Sequence, residues 1–360
     1  MKQTEWLDEP IREPSQSHTD QAQGHQNQLT KPPGSLGRLE QIATHLAGLQ
    51  QTRHPTVDPV QITLFAGDHG IAEDGVSAFD PIVTLQMMEN FANGGAAICV
   101  IADEVNAHLE VIDVGTRWQG QIPFSIRDER IARGTANMRL GPAMSEAQFH
   151  AALTVGAEAV DRAITERGMR VFIAGEMGIA NTTAAAAVVG ALLNKPAPGL
   201  VGPGTGHDAE GLRHKAEAVD ETLALHREQL GGAAQLTDPW EAGRRVGGLE
   251  LAAMVGAYIR CAQRGIAIVL DGFISGASAL LAERICPGTR SWMILGHSSA
   301  EPGHHRLVAA LGDRPLLEFG MRLGEGSGAA TVIPLMRLAC AIHNRMATFA
   351  EAGVTPEGER

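Results

Sequence analysis

Gln61-Ile62-Thr63-Leu64-Phe65-Ala66-Gly67-Asp68-His69-Gly70 is a short apolar run that empties into a glycine-flanked acid and histidine. Read as a buried strand ending in a loop, it sets the pattern for the rest of the chain. Similar runs occur at 109–114, 170–174, 266–270 and 292–295, each followed by a loop rather than a tight hairpin. Between them lie alanine-rich stretches with helical spacing, at 84–101, 145–166, 182–193, 208–229, 241–263 and 275–285. Strands alternating with helices imply parallel pairing through crossover connections, with ligands held beyond the carboxyl ends of the strands. One dominant α/β domain is the expected architecture.

Six glycine-rich loops fall largely at that edge: 66–70, 174–183, 202–208, 271–278, 296–305 and 324–330. Glycine lets backbone approach a ligand closely and present its N–H groups, so the loops point to one large site for a small anionic molecule. With 42 Gly in 360 residues, the chain carries roughly 12% glycine against about 7% in ordinary proteins. A net charge of −12 opposes non-specific binding to nucleic acid or an anionic membrane. The four cysteines, Cys99, Cys261, Cys286 and Cys340, are widely spaced, which fits free thiols in a reducing compartment. The first 28 residues are polar and acidic where a signal peptide would be apolar, and no apolar run approaches the ~20 residues of a membrane span. A soluble cytoplasmic protein is expected.

The two ends read differently from the middle. Residues 15–28 are rich in Gln, Ser and His without periodicity, so a mobile or loosely docked segment is expected there. Lys31-Pro32-Pro33-Gly34 is a rigid turn, and Ser35 stands as an N-cap for a helix carrying Leu36, Leu39, Ile42, Leu46 and Leu49. Residues 329–350 are helical in pattern, with Pro334 set to kink or restart the helix. These two helical ends are suited to pair as a small subdomain.

Several polar residues have a spacing that suits chemistry. Glu325, in Gly324-Glu325-Gly326-Ser327-Gly328, precedes a helix, where a positive helix end would keep a carboxylate ionised as a standing proton acceptor. The plainer reading is a capping carboxylate. Glu176 follows the strand at 170–174 in Gly175-Glu176-Met177-Gly178-Ile179-Ala180-Asn181-Thr182-Thr183. Asn181 and Thr182 are as well suited to capping the next helix as to touching a ligand. Gly202-Pro203-Gly204-Thr205-Gly206, with Lys215 one to two helical turns beyond it, resembles a phosphate nest but matches neither the P-loop nor the dinucleotide pattern. A structural turn with a solvated lysine explains it equally well. Leu85, Met88 and Ala92 form an apolar helical face, while Gln86, Asn90 and Asn93 follow a neighbouring polar one, and Ser77 lies just upstream. Asp68-His69, His207-Asp208, His297 and His304-His305 have no spacing of a known metal motif, and no G-x-S-x-G elbow is present.

Taken together, KPPGSLGRLE, FAGDHGIAEDGVS, QMMENFANGGAA, AGEMGIANTTAAAA, GPGTGHD, LDGFISGASAL, GHSSAEPGH and MRLGEGSGAA resemble the nicotinate-nucleotide:dimethylbenzimidazole phosphoribosyltransferase family. The resemblance runs in order from about residue 28 to about residue 345. It implies transfer of the 5-phosphoribosyl group of nicotinate mononucleotide to 5,6-dimethylbenzimidazole, giving α-ribazole 5′-phosphate and nicotinate for the lower ligand of cobalamin. It further implies Glu325 as catalytic base and, more loosely, Glu176 as a second catalytic carboxylate supporting an oxocarbenium-like ribose. Gly202, Gly204, Thr205 and Lys215 would cradle phosphate, with Gly178, Asn181 and Thr182 around the ribose phosphate. Ser77, Gln86, Met87 and Leu323 would wall the pocket of the aromatic base. The family fold is a Rossmann-like parallel α/β sheet flanked by helices, with a small helical domain built from both chain ends. Carried onto this chain, that gives residues 1–30 and 331–360 to the small domain and 31–330 to the catalytic one. A homodimer, with no cofactor and no metal, is the implied working form.

Two other readings stay open from the residues alone. One is a metal-dependent phosphohydrolase using Asp68, His69 and the loop 296–305. The other is a nucleotide-binding protein without catalysis.

Overall fold

The computed structural model describes residues 2–119, 121–202, 206 and 208–355. Six parallel strands form one sheet: β1 Val60–Gly67, β2 His108–Gly115, β3 Ile126–Asp128, β4 Val171–Met177, β5 Ala267–Leu270 and β6 Met293–Leu295. Their spatial order is β3-β2-β1-β4-β5-β6. Chain order therefore reverses between β1 and β4, and a crevice opens beyond the carboxyl ends of the strands at such a switch point. The register places Phe65 beside Glu176 and Leu270 beside Leu295. Every residue of β1 is buried, as a parallel strand covered on both faces requires. Five strands fall on the apolar runs of the sequence. Three-residue β3 lies outside them, because a strand that short carries no periodicity.

Helices cover both faces. The longest contact is between α5, Glu146–Arg167, and the helix Leu249–Arg264. Ser145 and Gln148 close a capping box at the start of α5, which satisfies backbone donors that a helix start leaves open. The two helices touch backbone to backbone: a Cβ at Gly156 would run into the Ala253 carbonyl, and one at Gly256 into the Leu153 carbonyl. Two expected helices are broken in the fold. The stretch 84–101 divides into α3, Ile82–Ala92, and α4, Ala97–Glu104, at Asn93-Gly94-Gly95, and 241–263 divides at Gly247-Gly248.

The ends differ from the sequence expectation in two respects. Residues 15–28 are not loose: α1, Gln16–Gln26, is capped by Ser15 and packs on α2, Arg38–Gln50. Its surface pairs, Gln16 with Asp20 and Gln21 with Ser17, are polar, so no apolar rhythm announced it. Ser35 does not cap α2. The cap position is Gly37, and Glu40 instead accepts the Gly34 and Leu36 N–H groups while pairing with Lys31 at 2.8 Å. After the short helix Ser327–Ala330, the chain restarts as Ile333–Arg345 with Pro334 in the first turn, where its missing N–H costs nothing. That helix packs on α2, and Leu29 bridges Thr348.

Residues 2–12 run across the α/β body. The Trp292 indole donates to the Arg12 carbonyl at 2.7 Å, Gln263 donates to the Trp6 and Glu9 carbonyls, and Glu9 pairs with Arg260. Gly265, just before β5, packs on Arg12, and Gly288 on Ile11. This strap therefore lies at the amino ends of β5 and β6. Among the described residues, no helix is long and apolar enough to cross a membrane.

Candidate active site

A cavity of about 320 Å³ opens beyond the carboxyl ends of β4, β5 and β6. Glu176 and the loop to Thr182 form one wall, Asp271–Ser275 and His297 with Ser299 and Glu301 form the floor, and Arg322–Glu325 cross above. Phe79, Val83 and Met87 close the remaining side.

Glu325 is almost fully buried, with 6% of its surface exposed. Its backbone takes φ +63°, a left-handed conformation uncommon outside glycine. The loop fits because Gly175 lacks a side chain: a Cβ there would meet the Glu325 carbonyl. The carboxylate Oε2 accepts the Ile98 N–H at 3.3 Å, at the start of α4 rather than of its own helix. The expectation of a readily ionised carboxylate is corrected here. Burial raises the Glu325 pKa, the Ile98 bond offsets part of that, and Asp271 adds to the rise. A raised pKa makes Glu325 a stronger base than an exposed glutamate.

Glu176 is buried beside it and accepts a hydrogen bond from the Asn181 amide, with the Glu325 backbone close by. Burial, with Glu250, Asp271 and Glu325 nearby, pushes its pKa well above the ordinary range. Gly324, at φ +88°, passes directly over this carboxyl, where a Cβ would collide with Oε1. Asp271 accepts the Ala329 N–H at 2.9 Å and stands 3.5 Å from His297 Nε2. His304 stacks behind His297, its pKa lowered by burial to about 4, so it is neutral at physiological pH.

Neither Asn181 nor Thr182 caps α6, Asn181–Leu192. The cap position is Ala180, at φ +75° with no side-chain bond. Asn181 is turned to Glu176, and Thr182 Oγ1 accepts from Lys215 Nζ at 2.7 Å. Lys215 stands on α7, Ala209–Leu230, and is 1% exposed rather than solvated. Its ammonium also donates to the Gly202 carbonyl at 3.2 Å, and burial lowers its pKa to about 8 despite Glu301.

The structure thus brings Glu325, Glu176, Met87, Gly178, Asn181, Thr182 and Leu323 to one cavity, with Lys215 and Gly202 joined to it through Thr182. Ser77 and Gln86 are not among the lining residues. Ser77 Oγ accepts the Phe79 N–H, and α3 turns its Val83–Met87 face inward, leaving Gln86 exposed. Gly204 and Thr205 lie outside the described residues. Sequence reasoning passed over Val83, Asp271 and Arg322, and weighed His297 and the loop holding Ser299 and Glu301 only for metal chemistry. The loops 271–278 and 296–305 were marked by their glycines, but nothing in them distinguished a lining residue from a turn. Among the described residues, no group of three or more His, Cys, Asp or Glu is placed to hold a metal ion.

A parallel sheet in this order, with buried carboxylates gathered in a cavity at the carboxyl ends of its strands, is the arrangement of an α/β enzyme with a small-molecule site. The chain matches the phosphoribosyltransferase family model DBI_PRT over residues 11–354. It is 52% identical to nicotinate-nucleotide–dimethylbenzimidazole phosphoribosyltransferase of Pseudomonas putida W619 over 335 residues, 93% of each chain. The corresponding protein of Pseudomonas aeruginosa PAO1 is 49% identical over 351 residues, 98% of each. The crystal structure of CobT from Thermus thermophilus superposes with a TM-score of 0.88 at 43% identity, covering 94% of this chain and 99% of that one. The chain belongs to the nicotinate-nucleotide–dimethylbenzimidazole phosphoribosyltransferase family.

Proposed function

We infer that the chain transfers the 5-phosphoribosyl group of nicotinate mononucleotide to 5,6-dimethylbenzimidazole, giving α-ribazole 5′-phosphate and nicotinate for the lower ligand of cobalamin. The observation that carries the mechanism is the buried Glu325 carboxylate inside the cavity. A neutral benzimidazole nitrogen attacks C1′ of the ribose as nicotinate leaves with the bonding pair. The other ring nitrogen must then lose its proton. Glu325 takes it, and general-base help of this kind is worth about 10²–10⁴ in rate. The remainder comes from alignment of the two substrates and from carboxylates that stabilise the positive ribose.

Glu176 serves the ribose side, joined to Asn181. Burial and the neighbouring carboxylates raise its pKa, and a carboxyl beside the ribose supports the positive charge that develops there. Thr182 and Gly178 receive the phosphate at the start of α6, with the Lys215 ammonium behind them, and Gly202, Gly204 and Thr205 complete that cradle. Met87, Phe79 and Leu323 wall the acceptor base, for which a flat apolar pocket is suited. The paired helical ends act as a small domain, and the working form is a cytoplasmic homodimer. The dimer is the state that the family resemblance implies. Size-exclusion chromatography with light scattering checks it, a monomeric mass being the adverse result.

The transfer is tested by mixing the purified protein with both substrates and following nicotinate release. Glu325→Gln is expected to lower kcat by about 10²–10⁴. Release without the benzimidazole would mean hydrolysis, and equal rates for mutant and wild type would remove Glu325 as the base.

A further inference from the structure

The Ala66-Gly67-Asp68-His69-Gly70 motif at the end of β1 contributes no residue to the cavity lining, yet Asp68 is only 3% exposed and His69 only 2%. Asp68 is fixed from three sides. Its backbone N–H donates to the Gly115 carbonyl, its carbonyl accepts the Thr135 N–H, and its Oδ2 accepts the Arg117 N–H at 2.7 Å. Facing it is Thr84, on the buried side of α3 with no exposed surface. The Thr84 hydroxyl accepts the Ile179 N–H at 3.1 Å and stands beside the Asp68 carboxyl, whose Oδ1 is buried without a hydrogen bond.

One hydroxyl therefore joins two pieces of chain that line the cavity. Ile179 lies in the wall that follows β4, Val83 and Met87 flank Thr84 on the facing helix, and Asp68 is the fixed post behind both. The helix has few other anchors: only Thr84, Met88 and Phe91 are buried along its 11 residues. The Thr84 bond opposes a shift of Val83 relative to Ile179.

We propose that Thr84 is a positioning residue, latched to Ile179, that fixes the width of the acceptor-base side of the cavity. This rests on the assignment of Met87 and Phe79 to the base given above. The latch needs a hydroxyl oxygen as acceptor, so serine can replace threonine and valine cannot. Valine leaves the Ile179 N–H without a partner.

The test measures KM for each substrate, and equilibrium binding of each by calorimetry, in wild type, Thr84→Val and Thr84→Ser. Thr84→Val is expected to raise KM and Kd for 5,6-dimethylbenzimidazole roughly tenfold, as the loss of a buried hydrogen bond entails. Those for nicotinate mononucleotide should move less, because Asn181 and Thr182 keep their bonds to Glu176 and Lys215 at the start of α6. Thr84→Ser restores the acceptor values. If valine misfolds, Thr84→Ala carries the same expectation. Equal weakening toward both substrates, or none toward the base, overturns the latch. Absence of nicotinate release by the wild type would defeat the transfer reading instead, while selective loss of base binding would still uphold Thr84.

Discussion

Glu325 and Glu176 show how two neighbouring glutamates come to differ from exposed ones. Both are 6% exposed, and for both burial is the main cause of a raised pKa. A carboxyl whose folded pKa lies above its unfolded value stabilises the fold in its protonated form. That stability is fully present below the unfolded pKa and is lost as pH rises through the raised one. Glutamine imitates the protonated form permanently. Glu325→Gln is therefore expected to raise Tm by roughly 1–3 °C at pH 8 and to leave it nearly unchanged near pH 4. Calorimetry at the two pH values checks this, and a lower Tm at pH 8 would contradict it. For the reaction, the same shift predicts that kcat/KM rises with pH through a pKa above the ordinary glutamate value. The place of Glu325 at the binding edge of the sheet was legible from its glycine-flanked loop. Its basicity was not, because the sequence shows the adjacent helix start but not the burial that outweighs it.

The strands were legible as elements and the helix ends were not. β1, β2, β4, β5 and β6 announce themselves because a strand buried on both faces is a continuous apolar run. α1 escaped because its stability comes from a Ser15 cap, polar surface pairs and a backbone seat on α2, where Gly48 makes room for Thr19. The breaks at 93–95 and 247–248 were written in glycine, which alanine-rich flanks obscured. The reciprocal contact of Gly156 and Gly256 is a feature that only packing reveals. Each methyl group added there must push two helix backbones apart, since the colliding atoms are carbonyl oxygens and not flexible side chains. Gly256→Ala is expected to cost at least ~2 kcal/mol, read as a lowered midpoint in urea unfolding. A neutral result would show that the two helices separate freely.

Across the whole molecule, anchoring and chemistry occupy opposite edges of the sheet. The cavity lies at the carboxyl ends of the strands, while the strap of residues 2–12 ties down the amino ends near Gly265 and Trp292. Removing residues 2–12 is expected to lower Tm by several degrees and leave kcat/KM within about twofold, because distant sites contribute independently. Thermal melts and steady-state rates on the shortened chain check this, and a large loss of activity without loss of stability would refute it. The alternating pattern of strands and helices foretold which edge would bind. It could not foretell the strap, whose bonds to Arg12, Trp6 and Glu9 run through main-chain carbonyls that any sequence possesses. The placement of aromatic rings has a practical consequence. None of the four tryptophans, Trp6, Trp118, Trp240 and Trp292, lines the cavity, whereas Phe79 does so while 45% exposed. Native indole emission thus follows unfolding, and Phe79→Trp would place a fluorophore at the entrance, turning arrival of the base into an optical signal.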